Sequence, residues 1–234
     1  MAHVPRCLVD DLSADRLLLP EQARRHLLSV LRLRAGSELL LHDGRGGLAR
    51  AELLEGGALR VVSREPPAPP GPRVTLAVAM PRLQRLEWLV EKAAELEVAR
   101  LVLLRTRHGE RYVGDARLAR LRRLADEALL QCGRRQRLQL AGPLELSGLL
   151  AARGDDSLWV ATPPSAAAGT PRRAGGSGVL ACVGPEGGFA PDESDLLHAA
   201  GAHPVSLGRT VLRVETAAVA LAVLAVEHLG AASS

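Results

Sequence analysis

The spacing of hydrophobic residues changes at a proline-rich stretch partway along the chain. Before this stretch, short apolar runs are separated by glycine-rich turns, at residues 7–9, 38–41, 48–53 and 59–62. This rhythm is typical of short strands joined by turns. After Pro20, apolar residues also recur at helical spacing over residues 21–31. The first part of the chain therefore predicts a small β-barrel with one helix.

The proline-rich stretch itself, residues 64–72 (REPPAPPGP), is the strongest break in the pattern. Prolines in succession lack backbone donors and stiffen the chain into an extended spacer. We therefore expect a domain boundary here, with a first domain at residues 1–65, a linker at 66–72 and a second domain at 73–234.

Beyond the linker, predicted strands alternate with predicted helices. Apolar runs predict strands at residues 74–79, 100–104, 158–161, 179–183 and 205–207. Apolar residues at helical spacing predict helices at residues 83–96 and 115–131. This alternation is typical of an α/β fold whose mainly parallel sheet is covered on both faces. Residues 163–178, rich in Ala, Pro, Gly and Ser, predict a mobile surface loop.

Residues 216–229, near the C-terminus, form an almost continuously apolar stretch. The stretch is too short for a membrane span, follows Glu215 and is interrupted near its end by Glu227. We therefore predict a buried helix here. The N-terminal sequence has no apolar run after its first basic residue, so no leader segment and no membrane association are predicted.

Composition and the absence of certain motifs limit the kinds of core and of catalytic site that the chain can form. Aromatic residues make up only 2% of the 234 residues, so the core must be aliphatic. The three cysteines, Cys7, Cys132 and Cys182, are far apart and form no CxxC pair, which excludes a disulfide framework and fits a reducing cytoplasm. The sequence has no HExxH, HxH or GxSxG motif, which argues against a catalytic metal and against the commonest serine hydrolases.

The positive charge is unevenly distributed. The formal net charge is only +4, but residues 100–137 carry 11 arginines against four acidic residues, and Lys92 is the only lysine. Codon usage in a GC-rich genome explains the preference for arginine over lysine. The clustering favours a polyanionic partner, with a merely solvated basic helix as the alternative.

A glycine-rich loop, residues 184–189 (GPEGGF), lies between the predicted strand at 179–183 and a helix start at Pro191. Ligands bind at the carboxyl ends of parallel strands, where glycines let backbone amides approach them closely. The loop lacks the lysine of a triphosphate-binding P-loop. It predicts either a ligand site or simply a tight turn.

A second strand-to-helix crossover covers residues 205–217. Glu215 would lie near the N-terminus of the helix, where unpaired amides favour a carboxylate, so its role is either structural or chemical. Arg213 stands in an apolar stretch and is a reasonable contact for a substrate or phosphate.

The chain resembles the RsmE-type 16S rRNA uracil-N3 methyltransferases of the SPOUT superfamily over nearly its whole length. The matching pieces of the first domain are Pro5-Arg6, His26-Leu27, Val30-Leu31-Arg32, Gly36 and Asp43-Gly44. Those of the second are Arg82, Glu87, Lys92-Ala93, Glu95-Leu96, Glu127, Gln131, Gly133-Arg134, the GPEGGF loop, Leu207-Gly208, Leu212-Arg213 and Glu215-Thr216-Ala217. The chain departs from the family pattern at Cys7, Arg82, Glu97 and Thr210; the last replaces an arginine for which Arg209 is the nearest substitute.

The resemblance implies a SPOUT-type trefoil-knotted parallel-sheet methyltransferase domain at residues 73–234, preceded by a small PUA-like RNA-binding β-barrel at 1–65. It also implies that S-adenosylmethionine is the methyl donor and that no metal is required. The implied cofactor-binding residues are Thr162, Gly184, Glu186, Gly187, Gly188, Leu207, Gly208, Leu212, Thr216 and Ala217.

The implied reaction needs an unpaired uracil, loss of the N3 proton and alignment of N3 with the methyl group. We expect Arg213 to stabilise charge on a uracil carbonyl, with Glu215 or Glu186 as proton acceptor. Purely structural roles for the two glutamates are the alternative.

The implied partner is 16S rRNA, on the assembled small ribosomal subunit near the decoding region. The expected RNA-binding residues are Arg6, His26, Arg32, Arg82, Arg105, Arg107, Arg111, Arg134 and Arg135. A homodimer through the knotted domain and the C-terminal helix, and a cytoplasmic location, are also implied. The alternatives are a SPOUT methyltransferase for another rRNA or tRNA position, or a non-catalytic RNA-binding assembly factor.

Overall fold

The fold comes from a computed structural model that describes residues 4–109, 114–164 and 177–230. The chain divides into two compact units. The first contains the described residues up to Pro70 together with Asp126–Arg137, and the second contains Gly71–Ala125 and the described residues from Leu138 onwards.

A five-stranded sheet with the order β1-β3-β4-β5-β2 forms the first unit. Its strands are β1 (Arg6–Leu8), β2 (Arg16–Leu18), β3 (Glu38–His42), β4 (Leu48–Leu53) and β5 (Ala58–Glu65). Only β1 and β3 pair in parallel. The predicted helix at 21–31 is instead a short α-helix, α1 (Glu21–Arg24), followed by a π-helical turn, Arg25–Val30.

Aliphatic residues fill the core of the first unit, as the low aromatic content predicts. In β4 the residues alternate, so that Ala49 and Leu53 are buried while Arg50 is exposed and pairs with Glu38 across the sheet at 2.6 Å. Cys7 is buried in the same core, and burial raises the pKa of its thiol to about 12. The thiol therefore stays protonated and behaves as a small apolar group.

The segment Asp126–Arg137 belongs to the first unit because its groups bond to the N-terminal residues. The guanidinium of Arg6 donates to the carbonyl oxygens of Leu130 and Gln131, at 2.7 and 2.9 Å. These carbonyls lie in the last turn of a helix, where no intrahelical donor reaches them and a cation is favoured. The domain division drawn from the proline-rich stretch did not include this segment.

All six strands of the sheet in the second unit are parallel, with the order β11-β9-β10-β6-β7-β8. They are β6 (Val74–Ala79), β7 (Arg100–Arg105), β8 (Gln139–Glu145), β9 (Ser157–Thr162), β10 (Val179–Val183) and β11 (His203–Ser206). The helices are α2 (Leu83–Glu95), α3 (Asp115–Cys132), α4 (Leu146–Ala151), α5 (Pro191–Ala199) and α6 (Val214–Gly230).

A crossover in the second unit positions the site. Strand β11 lies beyond β9 at the edge of the sheet, yet the helix that follows it, α6, returns to pack on β6, β10 and α2. The chain after β11 must therefore pass the carboxyl ends of β9 and β10, which brings three loops to one edge. This parallel α/β sheet, preceded along the chain by a smaller β domain, confirms the predicted fold class.

Among the described residues, no helix is both long enough and apolar enough to cross a membrane. The apolar character of α6 has a different basis, since Ala218, Leu221, Ala222 and Ala225 are fully buried against its neighbours. The prediction of a buried C-terminal helix is thus confirmed. Residues 165–176, most of the predicted loop at 163–178, lie outside the described residues.

Candidate functional site

A cavity of about 490 Å³ lies where the loops after β9, β10 and β11 meet. Its volume falls within the range of small-molecule sites, roughly 300–1,000 Å³. Three stretches of chain form most of the wall, at residues 160–164, 183–189 and 207–217. It therefore lies at the carboxyl ends of the parallel strands, where the sequence predicted a ligand.

The loop after β10 is shaped by its glycines. A Cβ atom at Gly184 would come within 3.0 Å of the Phe189 ring, so a larger residue would displace that ring. Gly188 has a φ of +77°, in the left-handed region that favours glycine. The loop then enters α5, where Oε2 of Glu193 accepts a hydrogen bond from the backbone N–H of Ala190 at 2.8 Å. Oε1 of the same carboxylate accepts one from the backbone N–H of Arg107 at 2.9 Å.

The crossover after β11 forms the opposite wall. Gly208 has a φ of +129°, which side chains rarely tolerate, and it turns the chain from β11 toward α6. Below it, the Thr162 hydroxyl donates to the carbonyl oxygen of Val205 at 3.3 Å and ties the end of β9 to β11.

Most of the residues predicted to bind a cofactor line this cavity. They are Thr162, Gly184, Glu186, Gly188, Leu207, Gly208, Leu212 and Ala217. The other two lie elsewhere. Gly187 faces the imidazole of His108, and Thr216 lines a separate, smaller pocket.

An ion-pair bridge joins the glycine-rich loop to the start of α6. The guanidinium of Arg85, in the first turn of α2, lies 2.9 Å from Glu186 and 3.4 Å from Glu215. Glu186 is exposed, whereas Glu215 is 7% exposed and its Oε2 has no hydrogen-bond partner within the described residues. Sequence reasoning missed Arg85, although it lies between the matching residues Arg82 and Glu87.

Arg213 precedes the first residue of α6 and is exposed. Its carbonyl oxygen accepts a hydrogen bond from the backbone N–H of Ala217 at 2.9 Å, so its backbone belongs to the first turn. Its neighbours Leu212 and Val214 both line the cavity. In the described chain its guanidinium takes part in no ion pair, which leaves the charge available to a ligand.

The arginines and the histidine predicted to bind RNA fall into three groups. Four are engaged: Arg6 with helix carbonyls, Arg105 with Glu145, Arg107 with Asp192 and Arg135 with Glu65. Arg134 is buried, and Arg111 lies outside the described residues. His26, Arg32 and Arg82 are exposed and make no ion pair within the ranges described. Their contacts with RNA stay predictions.

The basic face of α3 is only partly neutralised. Arg120 pairs with Glu87 of α2 at 2.7 Å, and this hydrogen-bonded guanidinium lowers the pKa of the Glu87 carboxyl. Arg117, Arg122 and Arg123 on the same helix are exposed. The positive charge seen in the sequence is therefore still presented to solvent.

Two other kinds of chemistry find no support around the cavity. Cys182 is buried in β10, and burial raises the pKa of its thiol to about 12, so it is not a thiolate nucleophile. Over the described ranges, no three His, Cys, Asp or Glu side chains lie close enough together to hold a metal ion.

Comparison with known proteins relates both units to RNA methyltransferases. Residues 69–226 match the family of RNA methyltransferase domains, and residues 19–64 match the RNA methyltransferase PUA domain. The chain is 35% identical to ribosomal RNA small subunit methyltransferase E of Mycobacterium bovis, over 82% of this chain and 79% of that protein.

Two crystal structures are similar over almost the whole fold. A probable rRNA-methyltransferase from Porphyromonas gingivalis is 30% identical, with a TM-score of 0.84 and coverage of 99% of this chain and 100% of that one. Ribosomal RNA small subunit methyltransferase E from Neisseria gonorrhoeae, bound to S-adenosyl methionine, is 25% identical, with a TM-score of 0.83 and coverage of 94% and 95%.

Proposed function

This chain belongs to the ribosomal RNA small subunit methyltransferase E family, and we propose that it transfers a methyl group from S-adenosylmethionine to N3 of one uridine in 16S rRNA. The cavity at the ends of β9, β10 and β11 supports this proposal most directly. It has the size of a cofactor site, and its walls come from the segments that resemblance to the family picks out for the cofactor.

The residues around the cavity fit S-adenosylmethionine. Gly184, Gly188 and Gly208 let the backbone approach the cofactor, while Leu207 and Leu212 offer an apolar wall to its adenine. When bound, the cofactor supplies a methyl group whose carbon forms a bond to N3 as its bond to sulfur breaks.

Glu215 is the better proton acceptor of the two glutamates. Its Oε2 is buried and has no donor among the described residues, so it can accept the N3 proton of a bound uracil. Glu186 is exposed and its carboxylate lies 2.9 Å from Arg85, which makes it a bridging group. Arg213 stabilises the negative charge that spreads onto a uracil carbonyl when the proton leaves.

We also propose that the enzyme acts on the small ribosomal subunit in the cytoplasm. The exposed Arg32 and Arg82, with the basic face of α3, supply cations for phosphate contacts, and the exposed His26 supplies ring nitrogens for hydrogen bonds. A homodimer through the second unit is supported by Val223 and Leu224, which are large apolar residues exposed on α6.

Methyl transfer to three substrates tests the function: unmethylated small subunits, naked 16S rRNA and tRNA. We expect transfer to the small subunit, with N3-methyluridine at a single position when the product is digested and analysed by nucleoside mass spectrometry. RNA binding should weaken steeply between 50 and 200 mM salt, on the order of a hundredfold, because phosphate contacts dominate affinity.

A methylated ribose or a methylated tRNA would contradict the proposed substrate. If isothermal titration detected no binding of S-adenosylmethionine, a non-catalytic RNA-binding factor would replace the enzyme.

The left-handed backbone of Gly188 provides a test of the cofactor site. Alanine at position 188 would be strained by about 1–2 kcal/mol in this left-handed conformation, and the loop would rotate to relieve the strain. Because the loop forms a wall of the cavity, Gly188→Ala should weaken S-adenosylmethionine binding about tenfold. Isothermal titration measures the effect. Gly154→Ala is the matched control, since Gly154 is also left-handed, with a φ of +66°, has open space around it and lies away from the cavity. Equal losses of affinity in the two variants would contradict this role for the loop.

A further inference from the structure

A second pocket, of about 290 Å³, lies beside the start of α6. It is lined by Gln84, Arg85 and Trp88 of α2 and by Glu215 and Thr216 of α6. The cofactor assigned above does not use it, and its lining combines a cation, a carboxylate and an aromatic ring.

The two pockets are lined by neighbouring residues of α6. Along α6, Val214 and Ala217 line the larger cavity, while Glu215 and Thr216, between them, line the smaller pocket. Glu186 lines the larger cavity and pairs with Arg85 of the smaller pocket at 2.9 Å. A ligand in each pocket would thus contact the same turn of helix, as a methyl donor and acceptor require.

The polar groups of the smaller pocket are incompletely satisfied. Glu215 is more than nine-tenths buried, its Oε1 lies 3.4 Å from Nε of Arg85, and its Oε2 has no donor in the described structure. Across the same ranges, Nη1 of Arg85 donates to Glu186 while Nη2 donates to no protein acceptor. Leaving a buried polar atom without a hydrogen-bond partner costs free energy. The acceptor Oε2 of Glu215 next to the donor Nη2 of Arg85 therefore indicates a ligand that offers a donor to the carboxylate and an acceptor to the guanidinium.

Trp88 adds an apolar surface to this pattern. It lies in the middle of α2, and 42% of it is exposed, which is unusual for the bulkiest side chain of a helix whose other face is buried. Nucleobases stack on aromatic side chains exposed in this way, so Trp88 offers a surface for one face of a base.

Resting on the proposed function, we propose that this pocket receives the target base as an unpaired pyrimidine with an imide edge. The N3–H donates to Oε2 of Glu215, a flanking carbonyl accepts from Arg85, and the ring stacks on Trp88. Cytosine is rejected because its N3 carries a lone pair that would face the carboxylate. The methylated product has lost the N3–H, so it loses this hydrogen bond and is released.

Kinetics of Trp88 variants test the stacking role, once the wild-type enzyme has been shown to form N3-methyluridine. Trp88→Ala should raise KM for small subunits about 10- to 100-fold, as loss of one stacked base predicts. Trp88→Phe should restore KM to within about threefold, because it keeps a ring. The Kd for S-adenosylmethionine, from isothermal titration, should not change in either variant.

Sedimentation of the same variants shows whether a change in KM comes from base binding or from a change in the oligomeric state of the protein. An unchanged KM in Trp88→Ala, or a change that appears only together with a changed oligomeric state, would overturn the proposal while leaving the methyltransferase function intact. Failure of the wild-type enzyme to form N3-methyluridine would instead overturn the proposed function.

Discrimination between bases tests the role of Glu215 by binding alone. With RNA in which cytidine replaces the mapped uridine, the wild-type Kd should rise about tenfold or more, the cost of one misplaced hydrogen-bonding edge. Glu215→Gln should bind both RNAs within about threefold, because its amide can donate to cytidine N3 or accept from uridine N3–H. Retention of full discrimination by Glu215→Gln would overturn the assignment of the imide edge to this residue.

Discussion

Replacing Arg213 with alanine is expected to lower kcat for methyl transfer by about 100- to 1,000-fold, the usual effect of removing one charge-stabilising group. Arg213 stands at the crossover between β11 and α6, between two residues that line the cofactor cavity, and no carboxylate in the described chain neutralises it. Its guanidinium is therefore available for the proposed stabilisation of charge on the uracil. Single-turnover assays with saturating cofactor and small subunits measure the chemical step.

Two variants distinguish this role from general loss of positive charge. Arg213→Lys should recover part of the rate, because the charge is kept although the planar fork is lost. Arg209→Ala removes another exposed arginine of the same crossover and should raise KM for RNA without changing kcat. An Arg213→Ala enzyme with the full wild-type rate would show that another group stabilises the charge.

Gly142→Ala is expected to destabilise the second unit by about 4 kcal/mol, through left-handed strain and overpacking together. Gly142 lies in β8 with a φ of +104°, and a Cβ atom there would overlap the carbonyl oxygen of Leu103 and lie 3.1 Å from its backbone nitrogen. Leu103 is fully buried in β7, so its backbone cannot shift to make room. Urea unfolding measures the loss, followed by tryptophan fluorescence, to which the buried Trp159 and the exposed Trp88 both contribute.

Gly148→Ala is the matched control in the adjoining helix α4. Nothing lies within 4 Å of its added Cβ and its φ is ordinary, so alanine should stabilise the protein by about 0.5–1 kcal/mol. If the two variants unfolded at the same urea concentration, that result would contradict the close approach of β8 to β7 at Gly142.

The spacing of hydrophobic residues was enough to predict an element where that element is strongly apolar and follows a single helical or strand periodicity. Strands such as β6 and β10, and the helix α2, lie where the sequence predicted them. Strand β8 was missed because it is a half-buried edge strand interrupted by Gly142 and Pro143. The helix predicted after Pro20 is less regular than its pattern indicated, since a π-helical turn follows its first four residues. Of the apolar residues in this turn, Leu27 is buried while Val30 is exposed.

Residues of the site divide in the same way. The glycines and leucines of the cofactor cavity could be named because each lies in a continuous motif at the end of a strand. Arg85 could not, because its two partners are 101 and 130 residues away in the sequence and meet it only through the crossover into α6. The sequence also contained no sign that Arg6 binds a helix end, because that helix end lies 124 residues away and leaves no local signal.

The membership of Asp126–Arg137 in the first unit also governs how the protein can be divided for experiments. An expression fragment that stops at Pro70 would lack this segment. Arg6 would then lose the carbonyls that it binds, and Glu65 would lose its ion pair with Arg135. A chimera with a relative must therefore exchange two separate stretches of gene together. Swapping the N-terminal stretch alone would place foreign residues against Asp126–Arg137, and the contacts of Arg6 and Glu65 with this segment would have to be kept by the incoming sequence.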